Sequence, residues 1–356
     1  MNEFGNSLDQ CNDLGKSFYD AIKWAIHCVM PSSLPARTGL CSFSCHQQWQ
    51  AVQAKRPGTK FSDAPTFLDY ARSLGAEGVQ TSVRTLQEAR AVRARVEAGG
   101  GLYEGDIRLP KTEADLEAFN KEVQLVREAG GTVARAVLTG RRRYETFTSL
   151  AQFREFRTEG MATLRLAEPV LKKHGVRLAL ENHKDQLTVE LIGMLGHFMS
   201  EWIGVCVDTG NNIALLEDPH AVIEALAPFV ASVHFKDMAV QPYVDGFLLS
   251  EVPLGAGFLD LPRIVATLRS HNAGITFNLE MATRDPLKVP CLTPGYWSSF
   301  EARPASDIAH ALSLVQAHPP KQPPPSVTGK VVDQVLAEEE ANNRVSLEWM
   351  REHLTR

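Results

Sequence analysis

The sequence predicts a (β/α)8 TIM barrel with an N-terminal extension and a C-terminal helical tail. Three observations carry that prediction. Short runs rich in Val, Leu and Ile alternate with helix-like segments eight times, and no change of composition marks a second large domain. The clearest runs, RLALENH, IGVCVDTGNN, ASVHFKD and ITFNLEMA, are apolar along their length, as parallel strands buried on both faces are. Each of these four ends abruptly in a carboxylate or imidazole: Glu181, Asp208, His234 and Glu280. A chain of 356 residues is long enough for one such barrel. The expected boundaries are 1–35 for a helical extension, 36–317 for the barrel, and 318–356 for a proline-rich linker and a final helix.

Taken in order, the amphipathic segment Lys16 to Met30 predicts a helix packed outside the barrel. TGLCSFSC (38–45) is the first strand, and Asp63 before Ala-Pro caps a helix through FLDYARSLG that stops at glycine. GVQTSV and LQEARAVRARVEAGG form the second strand and helix, and LYEGDIRLP the third strand. Thr112 and Asp115 make a capping-box-like start to the third helix. VARAVL is strand four, opening into the basic tip GRRRYE, and a long helix from Phe153 to Lys173 precedes strand five at Arg177 to Glu181. LTVELIGMLGHF is the next helix and IGVCVD strand six. Asp218-Pro219 supplies an N-cap and first-turn proline for HAVIEALAPF. ASVHF is strand seven, followed by a glycine-containing loop; Asp260 and Pro262 then start RIVATLRSH, and ITFNLE is strand eight. HPPKQPPP is an extended linker to a charged helix whose apolar face, VVDQVLA, packs on its own barrel or on a neighbour.

Composition narrows the classes of function. At 44% hydrophobic and 22% charged residues, with a net charge of −5, the chain is that of an average globular protein with no basic excess for nucleic acid or a membrane surface. No apolar run reaches transmembrane length, and the polar, acidic start MNEFGNSLDQCNDLG is not a secretory signal. The six cysteines are scattered, without C-x-x-C, so reduced thiols and a cytoplasmic location are expected. Cys41 and Cys45, four apart, have no second pair to complete a zinc site and read as core thiols.

Four strand ends offering Glu, Asp, His and Glu would meet at the carboxyl edge of one sheet, where they can hold a hard divalent metal. Oxygen and imidazole donors without thiolate suit Mn2+, placed first, or Mg2+, Co2+ or Zn2+. Around this centre, His183 and Lys236 each lie two residues past a ligand candidate and are read as catalytic neighbours. Lys236 either polarises a substrate oxygen or pairs with Asp237. Further round the rim, His46 after strand one, Glu104 on strand three, Arg142 within the Arg141–Arg143 run, Asn211, Glu251 and Trp297 are substrate-binding candidates. The glycines near Glu251 would let that loop close over a ligand, and Trp297 would either stack on a bound ring or pack within its own loop.

LALENH, VDTGN, VHFKD and NLE, in this order and spacing, resemble the xylose isomerase-like TIM barrels over about Gly39 to Ala317. That group includes sugar and inosose isomerases, epimerases and dehydratases, hydroxypyruvate isomerases and endonuclease IV. The resemblance implies that Glu181, Asp208, His234 and Glu280 bind one divalent metal and that the two glutamates flank a substrate carbon, one removing a proton and the other returning it. Isomerisation or epimerisation of a keto-sugar through an enediolate is then the expected reaction. β-Elimination from a 3-oxo-glycoside or an inosose is the alternative, with a non-catalytic binding barrel or a phosphodiesterase behind it. Asn211 stands where endonuclease IV and ketose epimerases carry a histidine, a departure that removes one ligand of a multinuclear site. The expected partner is a small carbohydrate, with neither nucleic acid nor membrane, and self-association into a homo-oligomer is left open.

Overall fold

The computed structural model describes residues 36–354. The predicted helix at Lys16 to Met30 lies outside the described residues. Within them, eight parallel strands close into a barrel: β1 (Arg37–Cys41), β2 (Gly78–Thr81), β3 (Leu102–Asp106), β4 (Val133–Ala136), β5 (Arg177–Glu181), β6 (Ile203–Asp208), β7 (Val230–Phe235) and, after a two-stranded insertion, β10 (Thr276–Leu279). Closure runs between β1 and β10, with Leu40 opposite Leu279. Helices follow each strand and bury their apolar faces on the outside of the barrel. Among the described residues no helix is long and apolar enough to cross a membrane.

The predicted caps stand. Asp63 Oδ1 accepts from the Thr66 amide at 2.9 Å, and Gly75 closes the same helix at a φ of 105°, where a side chain would be strained. Asp218 Oδ1 accepts from the Ala221 amide at 2.8 Å. Thr112 and Asp115 close their capping box on a short 3-10 turn that runs into the helix Leu116–Glu128.

Two segments depart from prediction. The first strand stops at Cys41, and Ser42–Cys45 is already a 3-10 turn leading into the helix His46–Gln53. Ser44 explains the stop, because its hydroxyl donates to the Leu279 carbonyl at 2.7 Å and accepts from the Met281 amide at 2.9 Å. The segment after β7, expected as a loop, is a hairpin of β8 (Asp237–Tyr243) and β9 (Gly246–Val252), extended by β11 (Leu287–Val289) into an antiparallel sheet. Asp237 does not pair with Lys236. Its carboxylate collects the amides of Met238, Gly255, Gly257 and Leu259 at 2.9–3.2 Å. A Cβ at Gly257 would stand 2.1 Å from that carboxylate, so the glycine serves this close approach. The loop predicted to close over ligand is therefore pinned at its base.

The tail helix, Val332–Leu354, packs on its own barrel. Glu339 accepts from the Gln47 and Gln48 amides at 2.8 and 3.0 Å, placing a carboxylate on the N-terminus of the helix His46–Gln53. Asn343 Nδ2 donates to the Ser44 carbonyl and Asn342 Nδ2 to Thr283 Oγ1, at 2.8 and 2.9 Å. The linker is fastened as well: Asp285 accepts from Ser326 Oγ and the Val327 amide at 2.7 and 2.8 Å. Linker and tail thus reach the loops that follow β1 and β10.

Candidate metal centre

Strand register decides which polar groups meet. Asp208 on β6 and Asn278 on β10 both stand level with His234 on β7. Glu181 closes β5, and Glu280 follows β10 directly. His234 Nδ1 lies 3.1 Å from Glu280 Oε2, 3.3 Å from Glu181 Oε2 and 4.0 Å from Asp208 Oδ2. One donor atom from each of the four residues falls within 4.8 Å of every other. All four side chains are buried, and His234 Nδ1, Asp208 Oδ2 and Glu280 Oε2 make no aligned hydrogen bond. Convergent buried oxygen and imidazole donors of this kind, three of them with an atom that no aligned hydrogen bond takes up, fit a divalent cation.

Supporting groups orient this set. Gln80 Oε1 lies 2.6 Å from His234 Nε2, so that nitrogen carries a proton and Nδ1 is left to face the carboxylates. Lys236 Nζ stands 2.8 Å from both Asp208 Oδ2 and Glu280 Oε2, supplying countercharge. Arg135 Nε donates to Glu181 Oε2 at 2.7 Å and its Nη1 to Asp106 at 3.1 Å, while Asn211 Nδ2 donates to Glu181 Oε1 at 2.8 Å. Burial works against charge on Glu181 and Glu280, but Arg135 and His234 at the first and Lys236 and His234 at the second hold both carboxyls well below their ordinary range. Asp208 is pushed up to about 6, burial outweighing Lys236.

A cavity of about 610 Å3 opens at the centre, its lining including Glu181, Glu280, Lys236, Lys184, Arg142 and Phe43. His183 faces it as a neutral ring, its pKa pushed down to about 3 by burial and by neighbouring Lys184. Lys184 donates to Asn211 Oδ1 and is lowered to about 8, by burial and then by Lys236. Arg142 reaches the wall while its Nε pairs with Glu145 at 2.7 Å.

Four rim candidates stand elsewhere. Glu104 lies under the centre, where Ser232 Oγ, Asn278 Nδ2 and Gln80 Nε2 donate to its Oε2 at 2.6, 2.8 and 3.0 Å. It supports Gln80, and through it His234, and does not line the cavity. Glu251 is buried on β9 and holds Arg284, whose Nε donates to it at 3.0 Å. His46 stacks on Phe43 with centroids 5.0 Å apart and stays behind it, 3.6 Å from Glu339. Trp297 Nε1 donates to the Cys291 carbonyl at 2.8 Å, and its ring packs on Tyr296 and Phe300. The aromatic that does line the cavity is Phe43, 43% exposed. Arg143 is structural: fully buried, it pairs with Glu190 at 2.7 Å and lies 3.4 Å over the Phe153 ring.

Arg135, Gln80, Lys184, Arg284 and Phe43 were missed as site residues. Gln80 and Arg135 each sit inside a predicted strand, and a polar residue in such a run was the available signal.

Comparison with known proteins gives the family and the fold. The chain is 33% identical over 146 residues to 3-oxo-isoapionate decarboxylase of Pectobacterium atrosepticum, a match covering 40% of this chain and 52% of the relative. The chain thus spans about half the length of that curated relative. Among solved structures, D-psicose 3-epimerase superposes with a TM-score of 0.58 at 13% identity, covering 90% of this chain and all (100%) of that one. L-ribulose 3-epimerase superposes with a TM-score of 0.55 at 16% identity, covering 90% and 94%. These two likenesses speak for the fold. The family model described as xylose isomerase-like TIM barrel matches residues 68–312, from the first long outer helix to the last, and takes in all four buried donors. The chain belongs to the xylose isomerase-like TIM barrel family.

Proposed function

We propose that this protein is a divalent-metal-dependent isomerase or epimerase of a small keto-sugar, moving a proton at a carbon next to the carbonyl. The observation that carries this reading is the placement of two ionised, buried glutamates, Glu181 and Glu280, 3.3 and 3.1 Å from the same His234 nitrogen and both facing one cavity. Glu181, Asp208, His234 and Glu280 would hold the metal, with Mn2+ the expected ion. When bound, such an ion supplies Lewis-acid stabilisation of negative charge developing on substrate oxygens.

The chain's own groups do the rest. One glutamate takes the proton from the carbon beside the carbonyl, and the other returns one, to the same carbon for epimerisation or to its neighbour for isomerisation. Lys236, between Glu280 and Asp208, keeps Glu280 ionised and so able to accept a proton. Neutral His183 offers a hydrogen bond to a substrate hydroxyl. Phe43 and the loops after β4 and β5 form walls of the cavity in which the substrate would lie. The partner is a small carbohydrate, without nucleic acid or membrane, and the expected location is cytoplasmic.

A second reading is loss of carbon dioxide from a 3-oxo acid, favoured by the curated relative's name and its 33% identity. There the bond between carbon and the carboxyl group breaks, its electron pair passes into the ketone as an enolate, and a glutamate delivers the proton. Elimination would start instead from the enolate left by proton removal beside the carbonyl, its electron pair expelling a leaving group at the β carbon. Turnover in D2O separates these outcomes. Proton transfer predicts deuterium at the carbon beside the carbonyl in product and in recovered substrate, with the carbon count unchanged. Complete retention of the original hydrogen, with its migration between carbons, would sink the acid/base role of the glutamates. Release of carbon dioxide would move the assignment to the second reading.

A further inference from the structure

We infer that the substrate carries a fixed negative charge, a carboxylate or a phosphate ester, and that Lys184 receives it. The inference rests on the reading above that a carbohydrate is bound beside Glu181 and Glu280, and it adds that carbohydrate's charge class.

Lys184 is only 3% exposed and lines the cavity. Among the described residues its ammonium has one contact, the carbonyl oxygen of the Asn211 side chain, and no carboxylate within ion-pair distance. The neighbouring cations differ. Arg135 has Glu181 and Asp106, Lys236 has Asp208 and Glu280, Arg142 has Glu145, and Arg284 has Glu251. Each of those charges is neutralised by the protein. Lys184 is a buried charge on which Glu251 and Asp208 act only from beyond ion-pair distance, and burying an ammonium with no carboxylate in contact is costly unless a ligand completes the pair. A polyol hydroxyl would accept one hydrogen bond and leave the charge standing; an anionic oxygen answers both.

The surroundings point the same way. Lys184's carbonyl accepts from the Arg143 amide at 2.8 Å, which ties the Arg141–Arg142 loop beside it. Arg141 and Arg142 line the same cavity together with Glu145, which pairs with Arg142, so Arg141 and Lys184 carry the positive charge left over on the loops after β4 and β5. The ionised glutamates line the same cavity from the strand ends. A substrate with its acid group on Lys184 would present its carbonyl end to Glu181 and Glu280. Lys184 is thereby a specificity-determining residue.

A lysine present only to brace Asn211 against Glu181 predicts something different, a loss of metal with no change in ligand preference. The test uses the full-length protein loaded with Mn2+, with calorimetric titration of five-carbon aldonates, alditols of the same configuration, and their alditol phosphates. Metal content is measured on the same samples. Wild type is expected to bind one anionic series roughly ten- to a hundredfold more tightly than the matched alditol, the range of a charge-assisted hydrogen bond. Which series wins tells carboxylate from phosphate. Lys184→Gln should bring the ratio close to one with Mn2+ retained, and Lys184→Arg should keep most of it. Equal binding of alditol and anion by wild type, a requirement for no variant at all, overturns the inference. So does a preference that survives Lys184→Gln, or parallel loss of Mn2+ in that variant. If Mn2+ binds and no carbohydrate of any charge does, the functional reading itself falls, and the inference falls with it.

Discussion

Gln80 illustrates how much of this centre depends on single residues outside the donor set. By accepting from His234 Nε2 it leaves Nδ1 for a cation, and it is held in turn by Glu104. Gln80→Leu should therefore weaken metal binding by about 10–100-fold, measured by chelator competition, while circular dichroism stays that of the folded barrel. His234→Ala and Glu181→Gln should go further and abolish both stoichiometric metal and turnover. Lys236 gives a sharper case. Without a metal, its ammonium offsets Asp208 and Glu280, so Lys236→Met should destabilise the metal-free protein by about 3–5 kcal/mol in denaturant unfolding. Added Mn2+ should restore most of that, because the ion supplies the missing charge. The four donors were legible because each is the carboxylate or imidazole that ends a largely apolar run. Gln80 and Arg135 gave only the weaker signal of a polar residue inside a strand, whose place on the inner face shows once the barrel closes. His46 and Trp297 show the converse: strand ends locate the rim, but side-chain direction within a rim loop depends on packing that sequence does not display.

Linker and tail act on the loop after β10. Thr283 is bonded by Asn342 and Asp285 by Ser326 and Val327, so Arg284, which lines the cavity, is clamped on both sides. A double substitution, Asp285→Ala with Asn342→Ala, should raise KM several-fold with a smaller effect on kcat and leave metal content unchanged. Equal loss of metal would show that the clamp reaches the centre itself. The partner of Arg284 sets a pH limit. Burial raises the pKa of Glu251, but Arg284, Lys236 and Lys184 outweigh it and hold the carboxyl down to about 2. Its stabilising contribution is thus complete above the ordinary glutamate range and is lost as pH falls toward 2. Arg284→Met should move the acid-unfolding midpoint, followed by tryptophan fluorescence, to higher pH. The barrel elements and their caps were legible from periodicity and N-cap residues. The hairpin was not, because GFLLSEV carries its strand pattern within a stretch whose glycines and Asp237 signal a loop, and its pairing partner β11 is supplied from beyond β10.

At the scale of the whole molecule, closure gathers residues from every part of the sheet. Glu104 on β3 accepts from Ser232 on β7 and Asn278 on β10, contacts across the barrel interior that no local pattern encodes. The net charge of −5 and the absence of a histidine at Asn211 give the molecule little to offer a phosphodiester backbone. Purified protein should neither nick nor tightly bind an abasic-site duplex at physiological salt, checked by gel assay and anisotropy. The position of the tail helix also bears on synthesis. All four donors have been made once residue 280 leaves the ribosome, yet the helix that buttresses the loops after β1 and β10 begins only at Val332. A nascent chain can therefore assemble its candidate metal centre some fifty residues before its cavity wall is braced. During that interval the newborn enzyme would capture metal ahead of recognising substrate.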